Sequence, residues 1–237
     1  MDAGFSLLIL TAASVALIHT LTGPDHYLPF IVISRAKNWS LSRTLWFTVL
    51  CGIGHVGSSI MLGFVGIAFG IALQKLVFLE AWRGSIISFA FTAFGLLYLV
   101  WAIVRIKRNQ PHEHLHVHPD GHTHTHEHTH HGLHIHMHEK EKGINLTPWI
   151  LFTIFIFGPC EPLIPIVMYP AAKHQYAELV IVTAVFSLIT IFTMVTIVSV
   201  TFFGFQVLPY KFLEKYNHIL AATTIFLCGI GMSVLGL

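Results

Sequence analysis

Three ionisable side chains lie close together in an apolar stretch near the amino terminus. His19, Asp25 and His26 belong to the sequence His-Thr-Leu-Thr-Gly-Pro-Asp-His, which interrupts an apolar run at about residues 5–34. Ionisable groups are costly inside a membrane and commonly mark a path for an ion or a substrate. Imidazole and carboxylate groups together can bind a divalent transition metal. We therefore predict a metal site here; the alternative is a proline-kinked helix whose histidines hydrogen-bond to neighbouring helices.

The Gly23-Pro24 pair inside this stretch predicts a break in the helix, because proline removes a backbone donor and clashes with the preceding turn. In a continuous helix, His19 and His26 would be about 10 Å apart along the axis. That separation is too long for two ligands that each lie about 2.0–2.1 Å from one ion. A break allows them to converge and leaves carbonyl groups at the negative end of a half-helix.

A fourth candidate ligand, His55, follows Gly52 and Gly54 in the next apolar run. Small residues allow another helix to approach closely. A single histidine in such a place is more often an interhelical hydrogen-bonding group than a ligand. In combination with the first cluster, we predict that His55 is a ligand.

A second Gly-Pro pair, Gly158-Pro159, occurs 135 residues after the first and precedes Cys160 and Glu161. These two residues are candidates for a second-repeat site. The alternatives are a buried cysteine that packs as a small apolar residue and a glutamate that pairs with a membrane histidine. The same offset places Thr190 opposite His55, within a polar stripe that we interpret as helix-packing contacts: Ser187, Thr190, Thr193, Thr196 and Ser199.

The composition predicts an integral membrane protein. Of the 237 residues, 54% are hydrophobic and only 10% are charged, whereas soluble domains carry about 25% charged residues. A helix that crosses a bilayer needs about 20 apolar residues. Runs of that length lie at about 5–34, 44–73, 85–105, 147–170, 177–206 and 218–237.

The two Gly-Pro breaks predict an internal repeat. Because each half contains three runs, an odd number, the second half enters the membrane in the opposite orientation. We therefore predict an all-α membrane protein of six transmembrane helices, arranged as two inverted three-helix repeats with helices 1 and 4 broken. The repeats are residues 1–106 and 147–237, joined by a loop at 107–146.

Lys and Arg residues are distributed unequally between the two sides of the predicted helices. One side carries Arg35, Lys37, Arg43, Arg105, Lys107, Arg108, Lys140, Lys142, Lys211 and Lys215, and the other carries Lys75, Arg83 and Lys173. Cytoplasmic loops are enriched in these residues. Ten against three predicts that both termini lie outside and that the 107–146 loop is cytoplasmic.

The 107–146 loop contains thirteen of the 18 histidines. They are His112, His114, His116, His118, His122, His124, His126, His128, His130, His131, His134, His136 and His138. A tract with so little apolar content is predicted to be disordered. Neutral imidazoles can bind divalent ions, so we interpret the tract as a metal-collecting segment; the alternative is a solvated linker with incidental metal affinity.

The stretch from His19 to His26, followed by Gly54-His55, resembles the nickel/cobalt permease superfamily, most closely its NicO/UreH-like branch. The resemblance implies nickel or cobalt transport at the bacterial inner membrane, with His19, Asp25, His26 and His55 at the positions of the metal signature. The His-rich loop is similar to that of efflux members. The larger permeases have four residues, rather than five, between the first histidine and the aspartate. The second break is more similar to a motif of related thiol-reductant and sulfite-exporter-like membrane proteins.

The leading hypothesis is a transporter of a divalent transition metal, Ni²⁺ or Co²⁺ and secondarily Zn²⁺, whose partners are the ion, the bilayer and a cytoplasmic metallochaperone. Import and export remain open. The alternatives are a thiol-redox protein, a sulfite-type exporter and a membrane-tethered metal sensor. No dehydrogenase, hydrolase or nucleotide-binding motif is visible. We therefore expect no enzyme activity, no bound cofactor and no nucleic-acid partner.

Overall fold

The computed structural model describes residues 3–108, 112–117, 123–128, 146–204 and 216–235. Its helices are α1 (Ala3–Thr22), α2 (Leu28–Ala36), α3 (Leu41–Ala68), α4 (Leu73–Arg108), α5 (Leu146–Phe157), α6 (Leu163–Ala172), α7 (Tyr176–Gly204) and α8 (Asn217–Leu235). A short 3-10 turn, Pro24–His26, separates α1 from α2. Two strands, β1 (His112–Val117) and β2 (Thr123–His128), lie between α4 and α5.

Five of the helices in the described part of the chain are long and apolar enough to cross a membrane: α1, α3, α4, α7 and α8. Large apolar side chains on their outer surface are exposed, among them Met61, Phe89 and Phe192. A soluble protein would bury most of these groups, whereas lipid solvates them. The helices therefore fit an integral multi-pass membrane protein.

Both Gly-Pro pairs lie at helix ends. α1 ends at Thr22, directly before Gly23-Pro24, and α5 ends at Phe157, directly before Gly158-Pro159. The apolar run at 147–170 is therefore divided between α5 and α6, and neither helix alone has the length of a membrane span. For this reason five long helices are found where six apolar runs are predicted.

Helix α4 is longer than predicted, since it begins at Leu73 rather than near residue 85. Glu80 and Arg83 therefore lie inside the helix and form an ion pair at 2.7 Å. Placing Arg83 in a loop was wrong, because charged residues end a hydropathy run even when their charges compensate each other.

Within the His-rich loop, the described residues of β1 and β2 pair as an antiparallel hairpin. The disorder predicted for the tract as a whole stays a prediction. Its register places His112 opposite His128, His114 opposite His126, and His116 opposite His124. Histidines that alternate with other residues have the two-residue period of a strand, and threonine and valine favour strands. The other histidines of the tract lie outside the described residues: His118, His122, His130, His131, His134, His136 and His138.

The helices form one bundle in which α4 packs against α8, α1 against α7, and α3 against both α5 and α7. Two glycines allow α4 and α8 to approach at backbone distance. A Cβ at Gly95 would clash with the backbone nitrogen of Phe226, and one at Gly229 would clash with that of Thr92. This contact joins the helices that carry one apolar wall of the site described below.

Replacing Gly229 by alanine is expected to destabilise the protein by about 1–3 kcal/mol, because the backbone of α4 cannot move aside as a flexible side chain could. The matched control is Gly231→Ala on the same helix, where an added Cβ meets nothing within 4 Å. Thermal denaturation of both variants in detergent measures the difference. Equal melting temperatures would contradict the close α4–α8 contact.

Candidate metal centre

Three of the four predicted metal ligands meet inside the bundle. His19 lies in the last turn of α1, His26 in the 3-10 turn, and His55 in the middle of α3. One ring nitrogen from each lies within 4.8 Å of the others. His26 is 2% exposed and His55 is 3% exposed, and His19 is partly buried. We refer to these three residues as the histidine cluster.

The histidine cluster has distances close to those of a metal site. The Nε2 atoms of His26 and His55 are 3.3 Å apart, and two nitrogens bound to a tetrahedral ion at about 2.0–2.1 Å lie roughly 3.3–3.4 Å apart. The His26 ring is nearly perpendicular to the rings of His19 and His55, at 80° and 90°. A small movement of His19 would bring all three nitrogens to one ion.

The break after α1 determines which nitrogen of His26 is available. Its Nδ1 atom lies 2.9 Å from the carbonyl oxygen of Gly23, which can only accept a hydrogen bond, so Nδ1 carries the proton. The lone pair of neutral His26 is then on Nε2, which faces His55. Metal-bound histidines characteristically donate their second ring nitrogen in this way. Gly23 is required because a Cβ there would clash with the imidazole of His26.

Asp25, the fourth predicted site residue, lies behind His26 rather than within the histidine cluster. Its Oδ1 atom is 3.4 Å from Nδ1 of His26, on the ring edge away from His55. The side chain is buried, and Oδ1 has no hydrogen-bond partner among the described residues. A buried carboxylate in this position orients the imidazole and compensates positive charge.

A cavity of about 240 Å³ adjoins the histidine cluster. Its polar side is lined by His19, Thr22, Asp25, His26, His55 and Glu161, and its apolar side by Ile87, Phe91, Ile154, Phe155 and Met232. Both breaks therefore contribute to one cavity. Its carboxylates favour a cation over an anion.

The two candidate residues of the second break have different positions. Cys160 is fully buried, and its Sγ atom lies 4.0 Å from Nε2 of His19. Glu161 is exposed and lines the cavity. The structure thus brings Cys160 to the edge of the histidine cluster and leaves Glu161 at the cavity wall.

Glu80 and Arg83 are functional candidates that sequence reasoning missed. Glu80 is fully buried, and its Oε2 atom accepts a hydrogen bond from the backbone of Cys160. Two unlike charges three residues apart in an otherwise apolar helix were the signal that could have identified them.

The polar stripe of α7 does not line the cavity. Ser187, Thr196 and Ser199 donate hydrogen bonds to carbonyl groups one turn earlier in their own helix. Thr190 is buried, and its Oγ1 has no partner within the described residues. These positions agree with the interpretation of the stripe as helix packing.

No protein-family model, curated protein or solved structure matches this chain. The resemblance to nickel/cobalt permeases therefore stays a prediction that depends on the motif residues alone. What the structure contributes independently is the buried histidine cluster, assembled from two separate segments of an apolar helical bundle.

Proposed function

We propose that this protein transports a divalent transition-metal ion across a membrane and binds it at His19, His26 and His55 during passage. Nickel and cobalt are the leading candidates, and zinc is the next. The ion is the cargo, and Asp25 supplies the compensating charge.

The observation that carries this proposal is the convergence of three imidazoles inside an apolar bundle. Polar groups in such a place cost free energy unless they are paired or serve an ion. The Gly23 carbonyl and Asp25 both face the Nδ1 edge of His26. This arrangement leaves Nε2 free for a borderline metal ion.

The helix boundaries support an inverted repeat around the site. Adding 135, the interval between Gly23 and Gly158, to the bounds of α2 and α3 gives 163–171 and 176–203. The observed helices are α6 at Leu163–Ala172 and α7 at Tyr176–Gly204. The helix contacts follow the same correspondence, in which α1 to α4 of the first half match α5 to α8 of the second. The contact of α1 with α7 matches that of α5 with α3, and the contact of α2 with α8 matches that of α6 with α4.

Alternating access around a site between two repeats is a common transport mechanism. The two breaks provide the irregular backbone that such a site needs, because both border the cavity. We propose, from the positive-residue bias, that the termini lie outside and that the His-rich loop collects or releases the ion in the cytoplasm.

The alternative functions have less support. A sulfite-type exporter would pass an anion beside Asp25 and Glu161, which is electrostatically unfavourable. A thiol relay needs two cysteines that meet, but Cys51 and Cys160 are unpaired and belong to different hydrophobic clusters. A membrane-anchored sensor would not need ionisable groups in the bundle.

The deciding experiment is metal-resolved transport by the full-length protein in liposomes, measured with an internal metal-quenched dye. We expect protein-dependent movement of Ni²⁺ or Co²⁺ and none of Mg²⁺, because imidazole ligands favour the transition metals. Protein-free liposomes provide the control. Absence of Ni²⁺, Co²⁺ and Zn²⁺ movement, or equal movement of Mg²⁺, would reject the proposal.

A further inference from the structure

An ion pair on α4, in which Glu80 is fully buried and Arg83 is partly buried, contacts the second break. Arg83 donates from Nη1 to Oε1 of Glu80 at 2.7 Å and from Nη2 to Oγ of Ser58 at 2.8 Å. Since each buried charge is costly on its own, the two must remain paired and hydrogen-bonded.

This pair satisfies the backbone of the second break. Nη2 of Arg83 lies 3.1 Å from the carbonyl oxygen of Gly158 and 3.4 Å from that of Ile156. The backbone N–H of Cys160 donates to Oε2 of Glu80 at 3.2 Å and to Oγ of Ser59 at 3.1 Å. Carbonyl groups at the end of α5 and the amide that follows therefore find their partners on α3 and α4.

The first break satisfies its own backbone instead. The Gly23 carbonyl accepts from the backbone and the ring of His26, and the amide of Gly23 donates to the His19 carbonyl. The phenol of Tyr27 donates to the Leu21 carbonyl. The second break differs because side chains of α3 and α4 determine its position.

The consequence of this arrangement is the location of the Cys160 thiol. Its Sγ atom lies 4.0 Å from Nε2 of His19. A sulfur at about 2.3 Å and a nitrogen at about 2.0–2.1 Å from a tetrahedral ion are roughly 3.6 Å apart. We propose that Cys160 is the fourth ligand of the histidine cluster, and that Glu80 and Arg83 are positioning residues that hold it there.

This inference rests on the proposed function and makes it more specific. In the structure the three imidazoles form the close group, and the Cys160 Sγ atom adjoins it through His19. If Sγ moves inward to the ion, three imidazoles and one thiolate give a tetrahedral set suited to Zn²⁺ and Co²⁺, and to Ni²⁺ with distortion. A thiolate disfavours Mg²⁺ and Mn²⁺, which prefer oxygen ligands. In this assignment the first half of the chain supplies the three imidazoles and the second half supplies the thiolate.

The test is the absorption spectrum of the full-length protein in detergent with Co²⁺ as the probe. The wild type should show visible d–d bands and a near-ultraviolet thiolate-to-cobalt charge-transfer band. Cys160→Ser should lose the charge-transfer band and keep the visible bands. The matched control, Cys51→Ser, should keep both, because Cys51 packs in an apolar cluster that does not contain Cys160.

The positioning role has its own variants. Glu80→Gln should raise the Co²⁺ dissociation constant by about tenfold and weaken the charge-transfer band more than the visible bands. Ser59→Ala removes the hydroxyl that contacts both the Cys160 amide and the Glu80 carboxylate, and it keeps both charges of the Glu80–Arg83 pair. We expect Ser59→Ala to raise the Co²⁺ dissociation constant and to weaken the charge-transfer band by less than Glu80→Gln does. This variant also keeps the positioning role testable if Glu80→Gln does not fold. Glu178→Gln, on α7, is the control and should bind as the wild type.

Each outcome has a distinct meaning. Visible bands without a charge-transfer band in the wild type would overturn the thiolate ligand while leaving the proposed function intact. Failure of the wild type to bind Co²⁺, Ni²⁺ or Zn²⁺ would overturn both proposals. An unchanged charge-transfer band in both folded Glu80→Gln and Ser59→Ala would overturn the positioning role alone.

Discussion

Replacement of His55 by alanine is expected to lower Ni²⁺ or Co²⁺ transport by about 100-fold or more. Loss of a residue that only hydrogen-bonds to a metal ligand commonly lowers metal affinity or activity by about 10–100-fold, and loss of a ligand itself should have a larger effect. His55 is 3% exposed and supplies the Nε2 atom that lies 3.3 Å from that of His26. Transport into liposomes and Co²⁺ affinity in detergent are the two measurements.

The control for His55→Ala is His218→Ala. His218 lies in the first turn of α8 and contacts Tyr98 and Arg105 rather than the cavity. We expect transport by this variant to equal that of the wild type. If both variants transported metal at the wild-type rate, the histidine cluster could not be the site of passage.

Replacement of Asp25 by asparagine is expected to weaken metal binding by about 10–100-fold. The variant keeps the shape of the side chain and removes the negative charge next to His26. Without that charge, the imidazole is a weaker ligand and the incoming cation is not compensated. Titration with Co²⁺ measures the affinity, and Glu178→Gln again serves as the control.

The melting temperature of Asp25→Asn, measured with and without Co²⁺, distinguishes a metal-binding role of Asp25 from a structural role. The Oδ1 atom of Asp25 is buried without a hydrogen-bond partner among the described residues, so the carboxylate is costly in the metal-free protein. We expect the metal-free variant to melt at or above the wild-type temperature, and the stabilisation by added Co²⁺ to be largely lost. A lower melting temperature with unchanged Co²⁺ stabilisation would indicate that Asp25 is structural.

Much of the first half of the site could be predicted from local sequence. Gly23-Pro24 cannot continue a helix, and α1 ends directly before it. The break brings His19 and His26 to a ring-centroid distance of 4.8 Å. The helix break could be predicted because it depends on the backbone restrictions of proline and its neighbours. These restrictions do not depend on what the segment packs against.

The main error concerns α4. Arg83 was assigned to a loop between the runs at 44–73 and 85–105 because a hydropathy run sums side chains one at a time. In the bundle the two charges pair and bind the backbone of the second break, so α4 continues through them. In the loop, the alternation of histidines is also the period of the hairpin that its described residues form.

The sequence by itself determined the membrane character of the chain, the two helix breaks and the imidazole chemistry of the site, because each depends on residue type or on neighbours along the chain. The tertiary structure alone decided which groups meet. His55 reaches His26 across 29 residues, and Cys160 reaches His19 across 141. Such contacts depend on how helices pack. The histidine cluster therefore exists only when α1, the first break and α3 are assembled. Cys160 reaches its edge only when the second break, which the ion pair of α4 contacts, is in place as well.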